Sequence, residues 1–238
     1  MQNTTRSSII IDYRTNSKSI SRLARMGCNI IKTVHVKSLY EAVGGHPDMQ
    51  LHYADNNTVI CAKEVYSYYK EKLPKEYNLI CGSQPLKDKY PYDILYNAAV
   101  IGDFVICNEK HTSKEILEVY RHIGKKILNV KQGYAKCSIA VISDNAAVTA
   151  DEGIYKVLMK NNINTLKIKP GSVGLKTLPY GFIGGCSGLL RKGLLAVNGN
   201  IDRHPEGRLI RDFCRNNGTE ILCLNEEELY DIGSIIII

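Results

Sequence analysis

Internal repetition restricts this chain more than any other feature of its sequence. Four segments align without gaps: "DMQLHYAD" from Asp48, "YNAAVIGD" from Tyr96, "CSIAVISD" from Cys137 and "CSGLLRKG" from Cys186. They recur roughly every 40 to 50 residues, a period at which one small unit is written several times. Each segment leads through a short turn ("ADNN", "GDF", "SDNA", "RKG") into a second apolar run, "TVICA", "FVICN", "AAVTA" or "LLAVN". Asp, Asn and Gly in those turns supply the backbone conformations of tight hairpins.

A helix is expected after each hairpin. Thr112 with Glu115, and Thr149 with Glu152, have capping-box spacing, in which hydroxyl and carboxylate satisfy first-turn amides. In the last unit Asp202 and Pro205 suit a helix start, and Leu209, Ile210 and Phe213 form an apolar face. Gly124 and Gly218 are natural left-handed stops. A third strand then closes each unit: "NLIC", "KILNV", "NTLKIK" and "EILCL".

The N-terminal stretch carries most of a fifth copy. "SSIIIDYR" reads as a strand, "NSKSISRLARMG" as a helix with an Asn cap and a Gly stop, and "CNIIKTV" as the closing strand. Its missing opening strand is present at the far end, in "LYDIGSIIII". Joining the two ends closes a ring and covers an edge that would otherwise invite pairing with other chains. The prediction is therefore one α/β domain over 1–238, with units at about 7–43 plus 229–238, 44–82, 94–131, 133–170 and 181–225. The competing architecture is an open α+β sheet in which the similarity of the units is coincidence.

Composition narrows the function classes. Eight cysteines are spread without a CxxC pair, which argues against a zinc site, and with no apolar signal-peptide core a disulfide framework is not expected. No run approaches the ~20 apolar residues of a membrane span, so a cytoplasmic protein without membrane contact is expected. The formal charge of +7 favours an anionic partner only weakly. "YSYYKEKLPKEY" interleaves tyrosines with lysines as nucleic-acid stacking surfaces do. Helical spacing instead makes Tyr66, Tyr69 and Leu73 a buried face. "GFIGGCSG" matches neither a dinucleotide fingerprint nor a P-loop.

Five strand–strand–helix–strand units together with "GHPD" resemble the pentein superfamily and a bacterial branch of it. The resemblance implies a five-bladed α/β-propeller of pseudo-symmetric ββαβ units. The enzymes of that superfamily are arginine and agmatine deiminases, dimethylarginine hydrolases and amidinotransferases. They use a G-H-x-D element, with His as general acid or base and Asp gripping the guanidinium, and a Cys nucleophile from another blade. Here Gly45, His46 and Asp48 match that element. The repeat alignment brings Asp48, Tyr96, Cys137 and Cys186 to equivalent axial points, so both cysteines are candidate nucleophiles, with Cys137 preferred. Lys136 is expected to depress the Cys137 pKa or to meet a substrate carboxylate. His52, four residues along the strand from Asp48, faces the same side.

The resemblance implies a hydrolase or transferase for a small guanidino or amidine-like compound, needing neither metal nor organic cofactor. No W-x-R-D element supplies a second carboxylate, and Asp55 and Asp144 fall in hairpin turns. The alternative is a non-catalytic binder resembling the ribosome-associated translation factors of the same superfamily, the one case in which a ribosome or nucleic-acid partner is expected. Residues 82–93, "GSQPLKDKYPYD", are the lid candidate. The oligomeric state is not encoded in any of these features.

Overall fold

The computed structural model describes residues 8–54 and 57–238, so Asp55, Asn56 and the turn they belong to lie outside the described residues. Among the described residues the chain forms seven α-helices and five three-stranded sheets. The first sheet has β1 (Ser8–Ile11) and β2 (Asn29–Lys32), with α1 (Ser17–Arg25) between them. A four-residue helix, α2 (Pro47–Gln50), leads into β3 (Leu51–Ala54), β4 (Thr58–Cys61), α3 (Tyr66–Lys72) and β5 (Asn78–Cys81). The third unit comprises β6 (Ala99–Ile101), β7 (Phe104–Cys107), α4 (Lys114–His122) and β8 (Lys126–Asn129). Another single helical turn, α5 (Ala135–Ser138), opens β9 (Ile139–Ser143), β10 (Ala146–Thr149), α6 (Glu152–Lys160) and β11 (Asn164–Lys167). The fifth is β12 (Ser187–Arg191), β13 (Leu194–Val197), α7 (Gly207–Asn216) and β14 (Glu220–Cys223), and β15 (Ile236–Ile237) ends the chain.

Every sheet obeys one rule: the middle strand is antiparallel to the opening strand and, across its helix, parallel to the third. β15 takes the opening-strand place beside β1, with Ile9 opposite Ile237 and Ile10 opposite Ile236. Four of the helices bury residues four apart against their sheet: Ser19 and Leu23, Ile116 and Tyr120, Ile154 and Leu158, Ile210 and Cys214. That spacing puts both on one helical face. Leu209 is exposed, so Cys214 replaces it on the apolar face expected for α7. In α3, Tyr69 is fully buried, with its hydroxyl donating to Gln50 Oε1 at 3.0 Å.

Three helix starts, those of α4, α6 and α7, differ from the sequence expectation by one or more residues, while that of α1 does not. Asn16 caps α1, accepting from the Lys18 amide at 2.8 Å, as expected. The cap of α4 is Ser113 and not Thr112, and that of α6 is Asp151, which accepts from the Ile154 amide at 2.8 Å. Thr149 instead ends a strand, with its hydroxyl bonded to the Ser138 carbonyl. Asp202 lies in a separate 3₁₀ turn ahead of α7.

Two larger differences concern the residues ahead of the opening strands. The sequence pattern makes "HPDMQ" the beginning of a strand, but Pro47 starts a helical turn, where its missing amide costs nothing. The two helical turns are equally long, and the gap-free alignment slips because β9 carries one extra residue in a β-bulge that β3 lacks. Hydrogen-bond registers make Leu51, Ile139 and Ser187 equivalent, since they face Cys61, Thr149 and Val197 at the ends of the middle strands. By that count Asp48 corresponds to Lys136 and not to Cys137. "LYDIGSIIII" likewise contains only a two-residue strand; the residues before it form irregular backbone.

Candidate active site

The pre-strand turns of all five units meet at one point. Asp48 comes from α2, Cys137 from α5, Asn97 from the turn before β6, Gly184 from the turn before β12, and Ser234 from the segment before β15. The Cys137 thiol donates to Asp48 Oδ2 at 2.9 Å, and Ser234 Oγ donates to the same oxygen at 2.8 Å. Asn97 Oδ1 accepts from the Lys136 and Cys137 amides at 2.8 and 3.2 Å. Two amide donors on that oxygen fix the side-chain orientation, so Nδ2 faces the sulfur, at 3.2 Å.

Gly184 shows why this junction is glycine-rich. A Cβ there would lie 2.4 to 2.6 Å from the carbonyl oxygens of Lys136, Cys137 and Ile139. Gly184 therefore lets two backbones touch, while Gly181 and Gly185 make room for the Asp231 side chain, which a Cβ on them would meet at 2.5 and 2.1 Å. Gly233 has φ +68°, and a Cβ on it would strike His46 Cβ at 2.2 Å. This close contact seats the imidazole.

His46, Cys137 and Asp231 line one cavity of about 360 Å³, walled mainly by apolar and aromatic side chains. His46 Nδ1 is 3.9 Å from Asp231 Oδ1, and it has no hydrogen-bond partner among the described residues. Asp48 Oδ1 is also buried and unpartnered among them. Asp231 accepts from the Phe182 amide and the Gly233 amide, both at 2.9 Å.

Burial is the largest influence on these groups. It raises Asp231 above the usual carboxylate range, and Asp48 adds repulsion while His46 opposes the rise. The Cys137 thiol is pushed well up, first by burial and then by Asp48 and Asp231. This is opposite to the depressed thiol expected from Lys136. Lys136 is itself lowered by burial and lines a different cavity of about 220 Å³. Among the described residues it makes no ion pair, and no three His, Cys, Asp or Glu side chains are grouped to hold a metal.

The other sequence candidates separate into two environments. Asp48, His52 and Tyr96 line the same cavity as Lys136. His52 Nε2 is 2.6 Å from the Tyr120 hydroxyl, and Tyr96 is fully buried. Cys186 opens onto neither cavity. Its thiol donates to the Ile183 carbonyl at 3.2 Å within an apolar cluster, and burial raises its pKa. The cavity containing Cys137 is walled by Leu175, Leu178 and Tyr180 from residues 168–186, and not by residues 82–93 expected as the lid.

Sequence reasoning misses Asp231, Asn97 and Ser234. Asp231 and Ser234 fall inside a stretch that reads as a strand. Asn97 lies one residue beyond Tyr96, within the error of the slipped register. The available signal is the turn-forming "DIGS", whose Gly and Asp argue against a continuous strand.

Solved structures give the fold its relatives. A DDAH mutant of Pseudomonas aeruginosa complexed with citrulline superposes with a TM-score of 0.58 at 11% identity, covering 91% of each chain. Agmatine deiminase of C. jejuni gives 0.56 at 8% identity, over 92% of this chain and 87% of that one. An amidinotransferase of Microseira wollei gives 0.53 at 10% identity, over 91% and 87%. All three are penteins, and at these identities the likeness establishes the fold alone. No curated protein matches the sequence. A family model does match, over residues 10–236, and the chain belongs to that family, the family of unknown function DUF6873.

Proposed function

We propose that the protein modifies a guanidino or amidine-like compound through a covalent intermediate on Cys137, within a ring of five blades closed by β15 on β1. The observation that carries this reading is the buried thiol of Cys137 beside Asp48, in a cavity that also holds His46 and Asp231. Two carboxylates next to one thiol favour a cation and suppress a free thiolate. A planar monocation entering the cavity supplies the missing charge: it pairs with Asp231, offsets the charge of nearby Asp48 and stabilises the thiolate.

The Cys137 proton then passes to His46, and the sulfur attacks the central carbon. His46 returns that proton to the departing nitrogen as the C–N bond breaks, leaving an amidino group on sulfur. Attack by water, with His46 taking its proton, breaks the C–S bond and gives hydrolysis. Attack by an amine gives amidino transfer. Asp231 orients the imidazole, and Asn97 holds the sulfur's turn in place. Cys186, sealed in the core, takes no part in this scheme, and neither do His52 and Tyr96. The cluster supports catalysis over a binding-only role, because a ribosome-binding ring gains nothing from a buried thiol set between carboxylates.

The test compares two alkylating reagents, cationic 2-chloroacetamidine and neutral 2-chloroacetamide, by peptide mass spectrometry. Cys137 is expected to react preferentially with the cation, while exposed Cys81 shows no such preference. His46→Ala is expected to lower turnover of any substrate found by about 10²–10⁴-fold, the usual contribution of a general acid–base group. Equal reactivity of Cys137 toward both reagents overturns the reading.

A further inference from the structure

Resting on the Cys137 reading, we infer that the substrate is a monocationic guanidine or amidine with an apolar, preferably aromatic, substituent and no carboxylate. The cavity at Cys137 is lined by Tyr40, Tyr134, Tyr180 and Phe182, together with aliphatic residues such as Val43 and Leu178. Tyr134 and Phe182 stack with centroids 6.1 Å apart, and Tyr180 meets Phe182 edge-on at 6.3 Å. Among the described residues, no Lys or Arg lines it. Besides the tyrosines, the ionisable groups that do so are His46, Cys137 and Asp231. Aromatic faces and carboxylates both attract a cation, and neither offers anything to a carboxylate.

A longer substrate reaches a second cavity of about 730 Å³, which shares His46, Leu175 and Asp231 with the first. That cavity does contain cations, but they are already paired. Arg14 bonds Asp12 at 2.6 and 2.9 Å and donates to the Glu41 and Ala42 carbonyls, which occupies four of the five N–H groups of a guanidinium. Lys176 pairs with Glu41 at 2.9 Å. Glu227, Glu228 and Asp231 line the same space. An amino-acid carboxylate placed there meets a surplus of negative charge. Lys136, the expected partner for such a carboxylate, faces the separate 220 Å³ cavity.

The experiment is protection of Cys137 from 2-chloroacetamidine by three competitors: 2-phenylethylguanidine, L-arginine and agmatine. The aromatic guanidine is expected to halve the labelling rate at a concentration at least about tenfold below either of the others, a difference that burial of one ring readily supplies. Leu178→Arg, at a wall position that is 40% exposed and tolerant of a long side chain, places a cation at the cavity. It is expected to reverse the order, favouring L-arginine. Better protection by L-arginine or agmatine of the unaltered protein overturns the inference while the Cys137 reading stands. Loss of the cationic preference in labelling overturns both. Leu178→Arg without effect on the arginine concentration shows that charge at this wall does not select the ligand, and that also overturns the inference.

Discussion

At residue scale, the decisive quantity is the charge around Cys137. Its sulfur lies 2.9 Å from Asp48 Oδ2, in a buried site where Asp231 adds a second carboxylate. The folded pKa of the thiol therefore lies above the ~8.5 of a free cysteine. A raised folded pKa contributes stability that is complete below the unfolded value and is lost as pH climbs through the folded one. The same shift governs reactivity. Without ligand, alkylation of Cys137 by a neutral reagent is expected to keep rising beyond about pH 9, with no plateau at the ordinary thiol value. A guanidinium ligand small enough to leave the sulfur accessible, such as guanidinium ion itself, is expected to move the profile to lower pH. A stopped alkylation series resolved by mass spectrometry checks this, and a plateau near the ordinary ~8.5 in the free protein contradicts it. Asn97→Asp is expected to move the profile higher still, since it replaces the amide donor at 3.2 Å with an acceptor.

At the scale of elements, the sequence is legible where the unit repeats and obscure where it does not. The hairpins and third strands obey local rules of alternation and turn chemistry, and they appear where the pattern puts them. So do α1, α4, α6 and α7, because each buries residues four apart whatever its exact cap. Caps move by a residue or two because the hydroxyls are engaged elsewhere: Thr112 bonds the Asn108 carbonyl, and Thr149 bonds the Ser138 carbonyl and leaves the Ile154 amide to Asp151. The axial turns are harder to read. Pro47–Gln50 and Ala135–Ser138 are single helical turns with no periodicity of their own, so nothing in them corrects an alignment that the bulge of β9 has shifted by one residue. His46, Asp48 and Cys137 are legible all the same, because residue chemistry marks them. Asn97 and Asp231 are not, since their roles depend on backbone amides from other units. The tight junction at Gly184 gives this scale its test. A Cβ there meets three carbonyl oxygens at 2.4 to 2.6 Å, and backbone cannot step aside as a flexible side chain can. Gly184→Ala is expected to cost about 1–3 kcal/mol, the usual range for forced overpacking. It is also expected to slow Cys137 labelling by 2-chloroacetamidine, because the displaced carbonyls belong to the Cys137 turn. A urea midpoint shift without any change in labelling would separate packing from the site.

For the whole molecule, the site exists only because five turns distant in sequence are held against one another. Asp48 and Ser234, joined at 2.8 Å, are 186 residues apart, and Cys137 stands between them in the chain. The N-terminal unit is completed by residues from the far end, where β15 pairs with β1 and Ile235, Ile236 and Ile238 are buried. Three buried isoleucines contribute roughly 5–9 kcal/mol at the usual ~1.5–3 kcal/mol each. That is comparable with the ~5–15 kcal/mol total stability of a domain. Removing residues 235–238 leaves His46, Asp48, Cys137, Asp231 and Ser234 in the chain. It also takes away the strand that anchors the segment bearing Asp231 and Ser234, and it bares the edge of β1. The truncated chain is expected to lose most of its folding stability, read as a large fall in the urea midpoint or as loss of soluble protein. Any folded fraction is expected to lose the preference of Cys137 for the cationic reagent, since Asp231 is no longer fixed beside His46. A truncated protein with an unchanged midpoint and an unchanged labelling preference would show that the terminal pairing does not hold the site together. The site would then owe its integrity to the contacts between neighbouring opening strands, such as β9 with β6 and with β12.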